Sequence, residues 1–578
     1  MGLAWTLPFL QPIHRYPLVS FYSEWLAFAL GLAGALVLVS RAAWREASVP
    51  VIALAPLALI VVLGVQVLLG RVPYPEQALI ATLYLLWAAL LVVLGHALGR
   101  MGTLAGVVPI LAWFLLAGGV LAGLGGLLQH FDFSTPIDFL VVRKDETILY
   151  GNLAQSNHFA AYLTLSLASV AYLYSCQRLH AALAACCLAP SLLLLTLTGS
   201  RSPWLYLGAF TVLATLLYRV TRNAESRKLI VIVLCLLPGF MVAQLVARLP
   251  FMQPAAGQMV TSLQRLFHVA SGIEARLQFW QEAWNMFCNA PLLGAGFGQF
   301  TWHHFLHQAA TGPTLSIKLF NHAHNVVMQL MAEAGLIGAL AIVGAMVLWL
   351  VDLRRVRFDP ERWWLLSLLA VIGIHSMLEF PLWYSYFLGI AALLLGLGAQ
   401  RTFTLRFAGA ARAIAGLIVL LGFVNLAAVL APYREFERLV FLPQSRVAPL
   451  PEAAFAKAIV GLYREPLLVP YVELAIAYGV TVSEDKLPEK LALTSRVVHF
   501  APVAVVAYRH ALLLALAGQS EAARIQFERA LRVYPEDADE IVAQLETLAR
   551  DRPDAFSPLL ELAAGRRATS PSRSGQNR

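Results

Sequence analysis

Residues 78–98 read ALIATLYLLWAALLVVLGHAL, and residues 104–128 read LAGVVPILAWFLLAGGVLAGLGGLL. Neither stretch contains Asp, Glu, Lys or Arg, and only the short segment 99–103 separates them. An α-helix needs about 20 predominantly apolar residues to cross the hydrocarbon core of a bilayer, which is about 30 Å thick. The two stretches therefore predict a pair of adjacent membrane-spanning helices.

Further apolar runs of similar length bring the number of predicted spans to about twelve. The others lie at 19–40, 50–69, 155–175, 181–198, 203–219, 229–247, 325–351, 363–379, 383–399 and 412–432. Lipid cannot satisfy backbone polar groups, so spans are helices or closed barrels, and the unbroken apolarity of these runs excludes a barrel. The predicted fold class is an all-α polytopic membrane protein, with about 12 transmembrane helices and a C-terminal periplasmic α-helical domain.

The composition of the 578-residue chain fits this prediction, with 59% hydrophobic and 13% charged residues, against about 25% charged residues in soluble domains. A net charge of +9 could indicate a nucleic-acid partner, but the basic residues are spread over short loops between apolar runs. That distribution is typical of the positive-inside pattern, and no nucleic-acid partner is expected.

The five Cys residues form no CxxC pair, which favours neither a disulfide framework nor a metal site. Residues 1–12 lack the features of a cleavable signal peptide.

Loop charge predicts the orientation of the spans and, with it, a bacterial inner-membrane location. Basic residues fall in alternate loops, which we assign to the cytoplasm: Arg41, Arg45, Arg100, Arg178, Arg219, Arg222, Arg227, Lys228, Arg354, Arg355, Arg357, Arg362, Arg401, Arg406 and Arg412. The predicted division is N-terminal transmembrane helices (1–247), a large periplasmic loop (248–324), C-terminal transmembrane helices (325–432), a periplasmic helical domain (433–564) and a disordered tail (565–578). An apolar piece from Leu3 to Leu10 is too short to span.

The C-terminal domain contains a pattern that resembles one helical hairpin of the tetratricopeptide type. It runs from Ala507-Tyr508-Arg509 through Gly518 and Ala523 to Phe527, Ala530, Leu531 and Pro535. A single hairpin cannot bury its own apolar face, so flanking helices are expected to pack on it. The Ser- and Arg-rich end of the chain cannot form a core, which predicts disorder there.

Polar clusters at the ends of predicted spans are functional candidates, because polar groups in membrane segments are rare. The first cluster, 151–158, crowds Asn152, Gln155, Asn157 and His158 at one helix entrance. A helix N-cap needs one such side chain, and a helix N-terminus also favours anions. The second cluster, 197–203, contains Arg201, which either snorkels to lipid headgroups or faces a phosphate.

Two more clusters lie in and after the large loop. Arg276, Trp280 and Trp284 share one helix face, which fits either an interfacial amphipathic helix or a site wall. The glycines at 294, 296 and 298 lack the strand context of a dinucleotide-binding motif. The segment Asn321-His322-Ala323-His324-Asn325 opens a span, and a His there can act as a general base or as a cation beside phosphate. With His303, His304 and His307 it has no acidic partner of standard spacing, so metal binding is not favoured.

The fifth cluster runs from His375 through Glu379 to Tyr384, beside a Pro break between two spans. A buried Glu379 needs a partner such as an Arg. Together the clusters suit a ligand with an anionic head at the outer interface and a lipid tail between helices, such as a lipid-linked pyrophosphate sugar. No Walker A pattern is present, so the energy of any transfer would come from the donor's own activated bond.

These motifs together resemble those of the bacterial protein O-oligosaccharyltransferases of the PglL type, within the O-antigen ligase and polymerase superfamily. The resemblance covers nearly the whole chain, and it lies in 7–17 with 21–24, 151–158, 198–204, 276–300, 322–335 and 375–384. The first of these and the Glu379–Tyr384 segment are the most specific to the protein-glycosylating branch. The family usually has a full span before the Phe21-Tyr22 motif, from which this chain departs.

The resemblance implies that a glycan moves en bloc from undecaprenyl pyrophosphate to a Ser or Thr of a periplasmic or pilin-like protein, without metal, nucleotide or other cofactor. By matching motifs, Arg276 would neutralise the leaving pyrophosphate, and His324 would activate the acceptor hydroxyl or support the leaving phosphate. The resemblance further implies donor-binding roles for Gln155, Arg201, Asn157 and His158, and supporting roles for Glu379, Tyr384 (or Tyr386), His322 and Asn325.

Three alternatives remain open at this stage. An O-antigen ligase would use the same chemistry with a lipid A core acceptor, and an O-antigen polymerase would join two lipid-linked repeats. A transporter or scaffold would use the polar clusters as a substrate path and the C-terminal repeat to dock a partner. Against transport, the spans show no internal repeat and the polar clusters lie at one face.

Overall fold

The structure is a computed structural model, which describes residues 1–44, 48–144, 148–252, 263–264, 270–312, 319–441 and 452–569. Of these residues, the part before the large loop folds into nine α-helices. They are α1 (Leu7–Leu10), α2 (Phe21–Ala35), α3 (Leu54–Leu68), α4 (Pro75–Gly102), α5 (Leu104–Phe131), α6 (Ser156–Ser175), α7 (Ala181–Leu197), α8 (Ser202–Thr221) and α9 (Ala224–Val246).

The second half of the chain continues the bundle and adds a helical C-terminal region. In the loop region lie α10 (Ala270–Asn289) and α11 (Phe300–Thr311), followed by α12 (Val326–Asp352), α13 (Pro360–Ser376), α14 (Ser385–Gly398) and α15 (Ala408–Phe441). The C-terminal helices are α16 (Glu452–Gly461), α17 (Val469–Ala477), α18 (Leu487–Phe500), α19 (Ala504–Leu516), α20 (Ser520–Val533), α21 (Ala538–Asp551) and α22 (Pro553–Thr569). Two short strands, β1 (Ser48–Pro50) and β2 (Thr402–Thr404), pair antiparallel with Val49 opposite Phe403.

The prediction of an all-α polytopic membrane protein is confirmed. Each of the twelve predicted apolar runs coincides with a helix, and eight helices among the described residues are long and apolar enough to cross a membrane. The remaining four runs correspond to α6, α7, α13 and α14, which are shorter or more polar. The polarity of α6 is tolerated because nearly the whole helix is buried inside the bundle, and Thr164 and Ser169 bond to carbonyls of their own helix.

The two ends of the bundle differ in character. At one end the strands β1 and β2 pair, Asp352 forms an ion pair with Arg401, and Tyr172 donates to Glu361. The basic loops after α6, α8, α12 and α14 all lie at this end, while Arg45 lies outside the described residues. The polar clusters lie at the opposite ends of the same helices. The basic loops therefore lie at one end of the bundle and the polar clusters at the other, as the alternation of loop charge along the sequence predicts.

The short N-terminal apolar segment, Leu3 to Leu10, is packed inside the helix bundle. Trp5 and Phe9 are almost completely buried, and the Phe9 ring stacks on Tyr162 of α6 with centroids 4.0 Å apart. The Tyr162 hydroxyl donates to the backbone carbonyl of Trp5. The segment from Leu3 to Leu10 thus acquires its apolar surroundings from α5, α6 and α14.

The glycines at 294 and 335 allow two backbones to touch. Both have positive φ, and a Cβ on Gly294 would lie 2.3 Å from the carbonyl carbon of Glu333. A Cβ on Gly335 would lie 2.4 Å from the carbonyl oxygen of Leu292. Only glycine combines positive φ with so close an approach. The Gly-rich run therefore fastens the start of the loop after α10 to a break in α12, which is the structural reason for those glycines.

The C-terminal region differs from the predicted division in two places. Helix α15 runs on to Phe441, so the predicted boundary at 433 lies inside a helix, because Tyr433 and Phe436 are buried against α17 and the start of α2. Helix α22 runs to Thr569 and enters the segment predicted to be a disordered tail; residues 570–578 lie outside the described residues. The predicted hairpin is formed by α19 and α20 with a turn at Gly518, and α18, α21 and α22 pack around it.

A candidate active site at the polar end of the bundle

Glu379 is the hub of the predicted clusters. It lies past the end of α13, is 8% exposed, and accepts a hydrogen bond from Asn157 Nδ2 at 2.9 Å. Its other oxygen lies 3.0 Å from His324 Nδ1, and the Arg276 guanidinium is 3.8 Å away. Burial raises the pKa of Glu379, but the hydrogen bond and charge of His324 and the charges of His158 and Arg276 hold the pKa below its ordinary value. Glu379 is therefore a carboxylate held by three of the predicted clusters.

His324 is held at a strained backbone position by groups on several sides. Its φ is +51°, which a residue with a side chain rarely adopts. The ring stacks on Phe279 of α10 with centroids 5.7 Å apart, and Phe380 meets it edge-on. Because a carboxylate oxygen only accepts, His324 Nδ1 donates to Glu379, and Nε2 is the ring nitrogen that is left for a substrate. The arrangement orients an imidazole for general-base work.

Arg276 and Arg201 bring positive charge to the same place from different helices. Burial lowers the pKa of Arg276, the Glu379 carboxylate raises it, and the charge of Arg201 lowers it again. Within the described part of the chain, the Arg201 side chain has no hydrogen bond or ion pair. Arg276 interacts with both Glu379 and Arg201, and one carboxylate cannot balance two guanidiniums, so the positive charge that remains suits an anionic ligand such as a pyrophosphate.

Asn157 links the first two clusters to the hub. Its amide nitrogen donates to Glu379, and its carbonyl oxygen accepts from Ser200 Oγ at 2.7 Å. Both ends of the Asn157 side chain are thus occupied, so it orients Glu379. This contact explains why the starts of α6 and α8 meet the segment after α13.

Two of the predicted site residues are helix caps. Gln155 accepts from the His158 backbone N–H at the start of α6, and Asn325 accepts from Val327 and Met328 at the start of α12. For Asn152, which belongs to the same cluster, the side chain binds loop carbonyls of Leu10 and Leu140. The donor-binding role of Gln155 stays a prediction beside this structural role.

His158, His322 and Tyr384 form a layer around Phe380 rather than direct partners of Glu379. His322 stacks on Phe380 at 4.2 Å, and the Tyr384 ring is edge-on to His158 at 4.7 Å. Burial, and then the charge of His324, lowers the pKa of His322 to about 3, so its ring is neutral. Tyr386 is 4% exposed and packs against Phe9 in the core. Of the two tyrosines left open by the sequence, Tyr384 is the one beside the site.

The His-rich run in α11 is not a metal cluster among the described residues. His304 has an acidic partner that no standard motif spacing includes. Its Nδ1 lies 2.6 Å from Glu282 Oε2, and both side chains are buried. The partner escaped sequence reasoning because it lies on a different helix, α10.

A large apolar cavity of about 2650 Å³ lies beside the site. Its lining comes from α3, α4, α8, α12, α13, α14 and the C-terminal helices, and near the site it includes Asn321, His322 and Trp383. The cavity combines an apolar wall along the spans with a polar mouth. This shape suits a ligand with a long hydrocarbon tail and a polar head.

Sequence reasoning missed Phe279, Phe380 and Ser200 as site residues. Phe279 and Phe380 enclose the His324 ring, and Ser200 supports Asn157. All three lie inside the motifs quoted above, at positions where the residue type alone gave no chemical signal. Aromatic residues in membrane proteins are too common for a single one to mark a site.

Comparison with known proteins gives information on the family that is independent of this geometry. Residues 186–343 match the family described as "O-Antigen ligase" (Wzy_C), and residues 363–548 match "Virulence factor membrane-bound polymerase, C-terminal" (Wzy_C_2). The chain is 26% identical over 405 residues to a protein of Acinetobacter baylyi (strain ATCC 33305 / BD413 / ADP1) named "General O-oligosaccharyltransferase", which covers 70% of this chain and 69% of that protein. These matches support the resemblance to the PglL-type O-oligosaccharyltransferases within the Wzy_C superfamily, and the long apolar helices are those of a multi-pass membrane protein.

Proposed function

We propose that this protein is a glycosyltransferase that moves an oligosaccharide en bloc from undecaprenyl pyrophosphate to a Ser or Thr hydroxyl of a periplasmic or pilin-like protein. The observation that carries the proposal is the Glu379–His324 pair with Arg276 and Arg201 beside it. The name of the Acinetobacter relative supports the reaction class. In this proposal the basic loops lie in the cytoplasm, and the site and C-terminal domain face the periplasm.

The proposed step is a substitution at the anomeric carbon of the donor glycan. The acceptor hydroxyl oxygen forms a bond to that carbon while the bond from the carbon to the pyrophosphate oxygen breaks. His324 Nε2 takes the hydroxyl proton, and Glu379 stabilises the imidazolium that results. Undecaprenyl pyrophosphate leaves with the bonding electron pair, and its added negative charge develops next to Arg276 and Arg201.

Two alternatives from the same superfamily differ only in the acceptor. The family matched by residues 186–343 is described as an O-antigen ligase, which favours a lipid A core sugar as the second candidate. The polymerase description matched by residues 363–548 favours a lipid-linked repeat. All three acceptors present a hydroxyl, so the Glu379–His324 pair serves each of them equally well.

The test is glycan transfer in a bacterium that makes a lipid-linked glycan but lacks its own ligase. The chain is expressed with a pilin-like acceptor, and mass spectrometry locates the glycan, with His324→Ala as the control. We expect glycan on Ser or Thr of the acceptor with the wild-type chain alone. Glycan found only on lipid A core would contradict the proposed protein acceptor but would agree with the proposed transfer step. Equal transfer by His324→Ala would contradict the assigned base.

A further inference from the structure

A buried glutamate–histidine pair lies next to the site, and the proposed chemistry does not use it. Glu282 of α10 and His304 of α11 are 3% and 1% exposed, and His304 Nδ1 lies 2.6 Å from Glu282 Oε2. Gln278 donates to the other Glu282 oxygen at 3.1 Å, and Gln308 contacts His304 Nε2 at 3.0 Å. Every polar atom of the pair has a partner, so the pair offers no free group to a ligand.

The position of Glu282 links this pair to the site through one helix. Phe279 precedes Glu282 by three residues in α10, so the two side chains are neighbours on that helix. The Phe279 ring contacts His304 at 5.6 Å on one side and stacks on His324 at 5.7 Å on the other. One turn earlier, Arg276 approaches Glu379. Any rotation or slide of α10 would move both Phe279 and Arg276.

Helix α11 is the fixed support for this arrangement. Phe305 and Ala309 are buried in the same core as α19, α20 and α22 of the C-terminal domain. Arg532 donates to the Ala309 carbonyl, and the Phe300 backbone N–H donates to Glu333 of α12. Helix α11 is therefore held from both the C-terminal domain and the bundle. Helix α10 packs on α12 and meets α11 through an apolar cluster that includes Phe279 and Phe300, and through Glu282, which lies 2.6 Å from His304 and 3.7 Å from His307.

We propose that Glu282 and His304 are positioning residues, which hold α10 on α11 so that Arg276 and Phe279 stay against Glu379 and His324. The inference rests on the proposed function for its activity readout. The inference gives the C-terminal domain a part in catalysis, because that domain holds α11, and α11 in turn holds α10 against the site. A displacement of about 1 Å can lower a catalytic rate by about 100-fold.

The test compares Glu282→Ala, His304→Ala and the double variant with the wild-type protein in detergent or nanodiscs. We expect kcat for transfer from the lipid-linked donor to fall about 100-fold in each single variant, with KM for the donor changed less than about threefold. The double variant is expected to be no worse than either single one, since the two residues act as one unit. A kcat within about threefold of wild type in both single variants would overturn the inference.

Two further measurements keep the inference testable if the alanine variants fold poorly. Glu282→Gln retains an oxygen that accepts from His304 Nδ1, so it is expected to restore most of kcat. Hydrogen exchange needs no substrate: residues 274–289 are expected to exchange faster in the alanine variants, while α13 and α14 are unchanged. Unchanged exchange in α10 would overturn the inference even if the protein transferred no glycan. Faster exchange without any transfer by wild type would refute the proposed function alone.

Discussion

Two buried glutamates, each beside an arginine, lie in different regions of this molecule and are held in different ways. Glu473 of α17 accepts from the Tyr74 hydroxyl at 2.6 Å and from two nitrogens of Arg496, and so ties the C-terminal domain to the start of α4. Burial, and then the hydrogen bond and charge of Glu473, raises the pKa of Tyr74 well above its ordinary value. Tyr74 therefore remains a donor at any physiological pH, and Glu473 is fully engaged.

Glu379 is also a buried carboxylate beside an arginine, but within the part of the chain that the structure describes, the groups around it are not fully hydrogen-bonded. Arg276 approaches at 3.8 Å, which is longer than a hydrogen bond, and His324 contributes Nδ1 alone. Nε2 of His324 and the guanidinium of Arg201 have no partner among the described residues. The partners of Glu473 use their donors on that carboxylate, so Glu473 links two domains. The groups around Glu379 keep donors and acceptors that are not used within the described part of the protein, so they can act on a substrate.

The largest effect is expected when the Glu379 carboxylate becomes an amide. Asn157 Nδ2 donates to one oxygen of Glu379 and is itself held by Ser200, so in Glu379→Gln the amide oxygen stays toward Asn157. The amide nitrogen then faces His324 Nδ1 and donates to it, which would place the remaining ring proton on Nε2 and remove the base. Loss of the correct tautomer lowers catalysis by about 10³-fold or more. The measurement is kcat with a lipid-linked donor, at matched amounts of membrane-inserted protein. Activity within tenfold of wild type would mean that Glu379 only holds its neighbours in place, as Glu473 does.

Removal of the arginine that faces Glu379 is expected to have the next largest effect. Arg276→Ala removes positive charge where the leaving pyrophosphate gains negative charge, which lowers kcat by about 100-fold. Arg276→Lys restores the charge but not the planar fork, so it is expected to recover only part of the rate. The parameter to measure is kcat at saturating donor. A change in KM alone would assign Arg276 to ground-state binding.

The two tyrosines near the hub offer a smaller and sharper comparison. Tyr384 lies beside His158 and Phe380, whereas Tyr386 packs against Phe9. Phenylalanine keeps either ring in place and removes only a hydroxyl, which is worth about 1 kcal/mol or about fivefold in rate. We expect this loss in kcat for Tyr384→Phe and none for Tyr386→Phe. The reverse result would make Tyr386 the functional aromatic.

The fold was largely predictable from sequence because lipid imposes a simple rule on the backbone. Long runs without charge must be helices, and every such run is one. Helix α15 continues past the predicted boundary at 433 because a helix that leaves the membrane need not end there, and Tyr433 and Phe436 are buried on it. The N-terminal piece was too short for that rule, and its place was set by packing on Tyr162.

The site was predictable only in part because polar residues at helix ends have two uses. Gln155 and Asn325 are caps, whereas Asn157 and His324 bind Glu379, and the same residue types serve both roles. Contacts between distant helices were not visible at all. The Glu282–His304 pair joins two helices and the Phe279 stack joins α10 to the start of α12, so neither follows from local spacing.

The smallest effect on activity is expected at the saturated glutamate, which makes it the matched control for Glu379. Glu473→Gln keeps the shape of the side chain but weakens its bonds to Arg496 and Tyr74, and hydrogen bonds to a charged group contribute about 2 kcal/mol. We expect a lower unfolding temperature of the detergent-solubilised protein, with kcat within about twofold of wild type. The comparison depends on the separation of these readouts. Glu379→Gln is expected to lower kcat with little change in unfolding temperature. A Glu473→Gln protein that is equally stable but inactive would show that the contact between the C-terminal domain and α4 limits the reaction, and not the unpaired hydrogen-bonding groups around Glu379.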